Sequence, residues 1–208
     1  ICHLYIDAEA DAAKSVPIAV DSKTQYVAVC NAAETLLVHK DALDTVLPEV
    51  AGALAAAGCE IRGDERSRPA IESAGTAVAP AGDKDWETEY LDGIISVKTV
   101  DSVDEAIEHI HRYGSGHTES IVTENIGTAE AFLARVDAAD VFHNCSTRFA
   151  DGFVFGLGAE VGIATSKIHA RGPVGVEGLL SYRWLLRGSG QVIADYNEGR
   201  RKFTHREL

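Results

Sequence analysis

Apolar positions recur along this chain with two different spacings, and their alternation predicts a layered α/β fold built on a largely parallel sheet. Cys2–Ile6, Thr35–His39, Ile94–Val100, Ser120–Thr123 and Ala139–Phe142 are short runs rich in β-branched and other apolar residues, and they read as strands. Segments of helical period lie between them. Glu9–Asp21 is one, weakened by Pro17. In the next, Asp41 caps a helix whose Leu43, Val46, Leu47, Val50 and Leu54 share a face, with a kink expected at Pro48 and a stop at Gly58. Ser102-Val-Asp-Glu105 has the form of a capping box and opens a helix that turns Val103, Ala106, Ile107 and Ile110 inward, ended by Gly114. A further helix is expected over Thr128–Val136.

Arg62–Asp85 mixes charge, proline, glycine and small residues and is predicted to be irregular. From Asn144 to Gly178 the glycines multiply, which suits tight turns and close backbone approach, the kind of loop that forms binding surfaces. Ser181–Arg187 alternates enough for a strand, which Gly188-Ser-Gly190 would end, and the charged tail after Asp195 is expected to be mobile. There is no internal repeat.

Composition changes this picture little. The 208 residues can bury a substantial core, and their apolar and charged content is ordinary for a globular chain. With 32 acidic and 19 basic side chains the formal charge is −13, which argues against nucleic acid and anionic membranes as partners. No apolar stretch has the length of a bilayer span and the first residues lack a secretory pattern, so a cytoplasmic setting is expected. Cys2, Cys30, Cys59 and Cys145 are widely spaced and are expected as reduced thiols. No methionine is present, which favours reading the chain as a fragment.

Chemistry concentrates at Cys30, where a thiol stands between an expected turn and a strand in Val29-Cys-Asn-Ala-Ala-Glu-Thr-Leu-Leu-Val-His39. Asn31 and Ala32 are expected to begin a short helix whose amides would lower the thiol pKa. Taken alone, Cys30 reads first as a small buried hydrophobe rather than a nucleophile. His117 and His169 are assigned to loop positioning, because a base needs hydrogen-bond geometry that sequence does not supply. His109 and His111 point to different helix faces, and His143 with Cys145 lacks a second pair, so no metal site is expected. Gly156-Leu-Gly158 and Gly114-Ser-Gly116 are each only part of a dinucleotide fingerprint.

The Cys30 segment, together with Tyr113-Gly-Ser-Gly-His-Thr-Glu-Ser-Ile-Val-Thr-Glu-Asn125, Ser146-Thr-Arg-Phe-Ala-Asp-Gly152 and His169-Ala-Arg-Gly-Pro173, resembles the gamma-glutamyl phosphate reductases, a family of the aldehyde dehydrogenase superfamily. The resemblance implies an aldehyde dehydrogenase-like catalytic domain with a C-terminal oligomerisation strand at Ser181–Arg187. It implies NADPH-dependent reduction of L-glutamyl 5-phosphate to L-glutamate 5-semialdehyde in proline biosynthesis, through a thioester on Cys30. Glu89 would hold the nicotinamide ribose, while NADP(H) would be bound mainly by a domain absent from this chain. Residues 1–8 would then close that missing domain, 9–142 would form the catalytic domain, and 143–208 would supply substrate loops, oligomerisation strand and tail.

For the substrate carboxylate, Arg148 is the first candidate, since its planar fork donates two parallel bonds; a structural ion pair is the competing reading. Ser146 and Thr147 would assist, Asn31 would contribute to an oxyanion site, and Arg171 is a second candidate for carboxylate or phosphate. Asn144 either nears the substrate pocket or stabilises a turn. Alternatives to this assignment are the reductase part of a bifunctional delta-1-pyrroline-5-carboxylate synthase, a non-catalytic assembly module that retains the fold and associates with copies of itself, and a cysteine hydrolase.

Overall fold

A computed structural model describes residues 1–204. Its centre is a seven-stranded sheet formed by β1 (Cys2–Ile6), β2 (Ala33–His39), β3 (Glu60–Gly63), β4 (Ala79–Pro80), β5 (Ile94–Val100), β6 (Thr118–Val122) and β7 (Asp140–His143). They lie in the order β4-β3-β5-β2-β1-β6-β7, and every pairing is parallel. A parallel sheet needs a crossover between successive strands, and helices supply most of them. α1 (Ala12–Thr24), α2 (Leu47–Ala56) and the short α3 (Arg68–Ser73) follow β1, β2 and β3, while α4 (Val103–Tyr113) and α5 (Ile126–Arg135) follow β5 and β6.

The helices cover both faces, so the central strands are buried throughout and read as nearly continuous apolar runs. Alternation within each strand divides the core in two. Leu4, Ile6, Leu36, Val38, Ile95 and Val97 pack with residues of α1 and α2 on one face. Tyr5, Leu37 and Val100 pack on the other with Ala106, Ile107 and Ile110 of α4 and Phe132 of α5. β1, set apart with residues 1–8 in the sequence reading, is interior to this sheet, between β2 and β6. No helix among the described residues is long and apolar enough to cross a membrane.

Several local expectations hold. Ser102 Oγ accepts from Glu105 N, and Glu105 Oε2 accepts in return from Asp101 N at 2.7 Å, a capping box displaced by one residue. Gly58 leaves α2 with φ 90°, a conformation that favours glycine. Others are corrected. Pro48 does not kink a helix begun at Asp41: Lys40–Ala42 form a separate 3-10 turn, and Pro48 sits in the first turn of α2, where its missing N–H leaves no helical bond unmade.

Residues 62–85 are not irregular, since they contain the end of β3, α3, β4 and the start of a 3-10 turn at Asp85–Glu87. Asp64 ties this stretch to the sheet, accepting from Ser67 N and, across to β5, from Thr99 N at 2.8 Å. Beyond β7, a 3-10 turn at Thr147–Phe149 leads to an antiparallel ribbon of β8 (Gly162–Ala164) and β9 (Gly172–Val174). Ser181–Arg187 is not a strand; it carries no ladder pairing among the described residues, because alternation alone supplies no partner edge. The tail contains a short helix, α6 (Ile193–Asn197), and its last residues, 205–208, lie outside the described residues.

Candidate active site

The parallel sheet gathers the site along the edge where its strands begin. β2 and β6 flank β1, so the turn entering β2 and the turn entering β6 meet above the start of β1. Cys30 is on the first turn and is exposed; His117 is on the second and is 7% exposed. His117 Nε2 lies 3.2 Å from Cys30 Sγ, and His117 Nδ1 lies 2.7 Å from the Thr118 hydroxyl. Beneath them the buried Cys2 thiol donates to the Cys30 carbonyl at 3.3 Å, tying the turn to β1. His117 is thus not the loop-positioning histidine that sequence suggests: 87 positions separate it from Cys30, and the order of strands in the sheet brings the two together.

The expected helix at Asn31 and Ala32 is not formed. Cys30 and Asn31 lie in a turn, and the chain enters β2 at Ala33. Without helical amides, the thiol pKa moves opposite to expectation: partial burial raises it, and the carboxylates of Glu160 and Glu89 add to the rise, against a smaller lowering by Arg148. His117 is pushed down to about 4, by burial and by the Ile1 ammonium. At neutral pH the pair therefore rests as thiol and neutral imidazole.

Glu89 and Arg148 are thus electrostatic neighbours of Cys30, from opposite sides of β1 in the sheet order. Glu89 is exposed on the strand-like approach to β5. That approach is pinned from below: Glu34 Oε1 accepts from Leu91 N, while Glu34 Oε2 takes a 2.7 Å bond from Lys23 Nζ, both side chains being almost wholly buried. Burial raises the Glu34 pKa, and Lys23 opposes the rise.

Arg148 extends from the 3-10 turn that Ser146 caps, and its Nε donates to the neutral Gln25 Oε1 at 2.9 Å. Among the described residues no acid lies within ion-pairing distance of it, so the structural ion pair that competed with its functional reading is not formed. It faces a concavity of about 390 Å³ lined also by Asp21, Gln25, Phe149, Asp151 and Val154.

The remaining sequence candidates divide. Asn31 is buried, and its Nδ2 donates to the Ala150 carbonyl at 2.9 Å, so it fastens the Cys30 turn to the segment after Arg148. Ser146 and Thr147 face inward rather than toward a ligand. Ser22 Oγ donates to Ser146 Oγ and accepts from Thr147 N, both at 3.2 Å, which locks the base of the Arg148 turn to α1. Arg171 is occupied, with its Nη1 2.7 Å from Asp137 Oδ1, and Lys167 shares the same carboxylate. Asn144 has φ 53° and bonds both the amide and the carbonyl of Thr123, which is its turn-stabilising reading. No cluster of three metal-binding side chains occurs among the described residues.

Residues 76–172, which include Glu89, His117, Arg148 and Arg171, match the model of the aldehyde dehydrogenase family. Cys30 lies outside that stretch, but whole-chain comparisons include it. All 208 residues align at 55% identity with the gamma-glutamyl phosphate reductase of Synechococcus sp. strain CC9902. A second relative, the gamma-glutamyl phosphate reductase of Acetivibrio thermocellus, is 54% identical over the same 208 residues. The chain covers 46% of the first of these proteins and 47% of the second, so it spans about half the length of the curated relatives it matches. Among solved structures, gamma-glutamyl phosphate reductase from Thermotoga maritima is similar with a TM-score of 0.86 at 48% identity, over 92% of this chain and 45% of that one. The parallel sheet described above thus has the α/β architecture of an aldehyde dehydrogenase-like fold.

Proposed function

We propose that this chain is the nucleophile-bearing part of an NADPH-dependent reductase that converts L-glutamyl 5-phosphate to L-glutamate 5-semialdehyde and phosphate, in the cytoplasm and within proline biosynthesis. The observation that carries the reading is an exposed thiol presented beside an arginine with no acidic partner among the described residues, in a chain more than half identical to gamma-glutamyl phosphate reductases. A thiolate attacks an activated acyl carbon readily, and the acyl group then rests on Cys30 as a thioester. The unpaired fork of Arg148 suits the substrate's α-carboxylate, which needs such a partner in a chain of charge −13. Ser146, Thr147 and Asn31 act by holding Arg148 and Cys30 in place, and Arg171 serves the loop through Asp137.

The residues present fit one end of a nicotinamide cofactor. Glu89 offers an exposed carboxylate to ribose hydroxyls near Cys30, on a backbone fixed by Glu34 and Lys23. When bound, the reduced nicotinamide supplies the hydride that the thioester accepts. No turn that leaves a strand and opens a helix among the described residues carries a full glycine fingerprint for a pyrophosphate, which agrees with cofactor binding mainly by a further domain, with residues 9–142 as the catalytic unit. The exposed Tyr182, Trp184, Leu185 and Leu186 support assembly into a homo-oligomer.

The test is phosphate-dependent reduction of NADP by glutamate 5-semialdehyde, in the full-length polypeptide that carries this chain. Cys30→Ser should abolish it, and activity surviving that change overturns the reading. The Cys30–His117 contact also suits a cysteine hydrolase, which would release the carboxylic acid from the acyl phosphate without any nicotinamide.

A further inference from the structure

We propose that His117 is a catalytic residue, the base that takes the proton of Cys30 as its sulfur attacks the acyl carbon. The inference rests on the reading of Cys30 as the nucleophile and adds the group that makes an otherwise reluctant thiol reactive. His117 Nε2 is 3.2 Å from Cys30 Sγ, within the reach of a sulfur hydrogen bond. The other ring nitrogen is 2.7 Å from Thr118 Oγ1 on fully buried Thr118, so a hydrogen on Nδ1 can be given to that hydroxyl and Nε2 left free to accept. The ring itself is 7% exposed and fixed between the turn at Gly116 and β6, which holds its lone pair on the sulfur.

The charged surroundings explain why a base is needed here. Glu160, held on Gly152 N, and Glu89 both disfavour a free thiolate at Cys30, and Arg148 offsets them only in part. Near the imidazole stands the Ile1 ammonium, which disfavours a standing imidazolium, while the buried Cys2 thiol lies against the Cys30 carbonyl. Asp140, opposite Thr118 across β6 and β7, is raised to about 6 by burial, against the Thr118 hydroxyl, which lowers it. Neither partner favours a resting ion pair, so the proton moves as the sulfur–carbon bond forms. In the step, the sulfur–hydrogen bond breaks toward His117 Nε2 and the sulfur–carbon bond forms. The carbon–oxygen bond to phosphate then breaks, and the proton leaves His117 with the departing phosphate, so that thiol and acyl phosphate become thioester and hydrogen phosphate.

The experiment is the rate of Cys30 carbamidomethylation by iodoacetamide from pH 5 to pH 10, read by peptide mass in the full-length polypeptide that carries this chain. A thiol relieved by a neighbouring base reacts at a rate nearly independent of pH between the two pKa values, whereas an unaided thiol slows about tenfold for each pH unit below its own. Wild type should show the plateau. His117→Gln should lose it, reacting at least about tenfold more slowly at pH 6, with the gap to wild type narrowing as pH rises. In His117→Ala, added imidazole should restore part of the neutral-pH rate. Superimposable profiles, or a uniform slowing at every pH, overturn the proposal, as does a wild-type profile without a plateau, whatever the variants do. Labelling needs neither nicotinamide nor acyl phosphate. A plateau in a protein without reductase activity would therefore leave the pair standing and remove the reductase reading, while activity with a steep profile would do the reverse.

Discussion

Lys23→Ala would leave Glu34 as an uncompensated charge under the site, and its cost follows from the geometry. The two side chains are 0% and 2% exposed, with Nζ and Oε2 2.7 Å apart. At an effective dielectric of about 20, charges at that separation attract by about 6 kcal/mol, which is similar to the several kcal/mol per ion lost on leaving water. The intact pair therefore contributes little net stability, but removing one partner should cost about 3–5 kcal/mol. The sign of its pH dependence is fixed as well. Without Lys23, Glu34 keeps the upward push of burial and loses the opposing lysine, so its folded pKa rises further above the ordinary value. A carboxyl raised in this way favours the fold below its unfolded pKa and loses that contribution as pH rises through the folded one. Urea unfolding of Lys23→Ala should thus show the full deficit at pH 7 and a clearly smaller one at pH 5. The double variant Lys23→Met/Glu34→Gln should recover most of the loss. A deficit under about 1 kcal/mol at pH 7, or one equally large at pH 5, would refute the reasoning.

Three further outcomes are expected. Arg148→Lys loses the planar fork but keeps the charge, and should raise the KM for the acyl phosphate about tenfold or more with kcat nearly unchanged, in steady-state assays of the full-length polypeptide. Phe132→Ala removes a fully buried ring stacked at 6.2 Å on Tyr5 and should cost about 3–5 kcal/mol, seen as a thermal midpoint lowered by about 10 °C. His109 is pushed down to about 3, by burial first and then by His3, Lys98 and Arg112. Between there and its ordinary value the unfolded chain binds a proton that the fold refuses, so stability should fall as pH drops through that window, by up to about 1.4 kcal/mol per pH unit. His109→Phe should flatten this slope in denaturation measured from pH 4 to pH 7.

Strands and helices whose information is local were legible in the sequence. Cys2–Ile6, Ile94–Val100 and the Ser102 cap carry their own pattern, and the structure adjusts them little. Residues 62–85 were not, because each short element there is completed at a distance: β3 by β5, and Asp64 by Thr99. Ser181–Arg187 failed in the opposite sense, with a strand's alternation and no partner to pair with. At the site, Cys30 and Arg148 could be proposed from motif and chemistry. The inward turn of Ser146 and Thr147, the capture of Arg171 by Asp137 and the approach of His117 to Cys30 all depend on contacts between remote segments.

The interior position of β1 bears on how this chain reaches its folded state. His3 stands beside Glu119, 116 positions away, and among the described residues β1 is the strand that joins the β2 side of the sheet to the β6 side. Each side can form from closer segments, but their union requires a long loop to close before any ladder bond rewards it, which places it among the slow steps of folding. Until then two apolar sheet edges stand open, and the turns bearing Cys30 and His117 are apart. Formation of the reactive pair therefore reports the last assembly of the sheet, and the pH-independent labelling of Cys30 during refolding would time it.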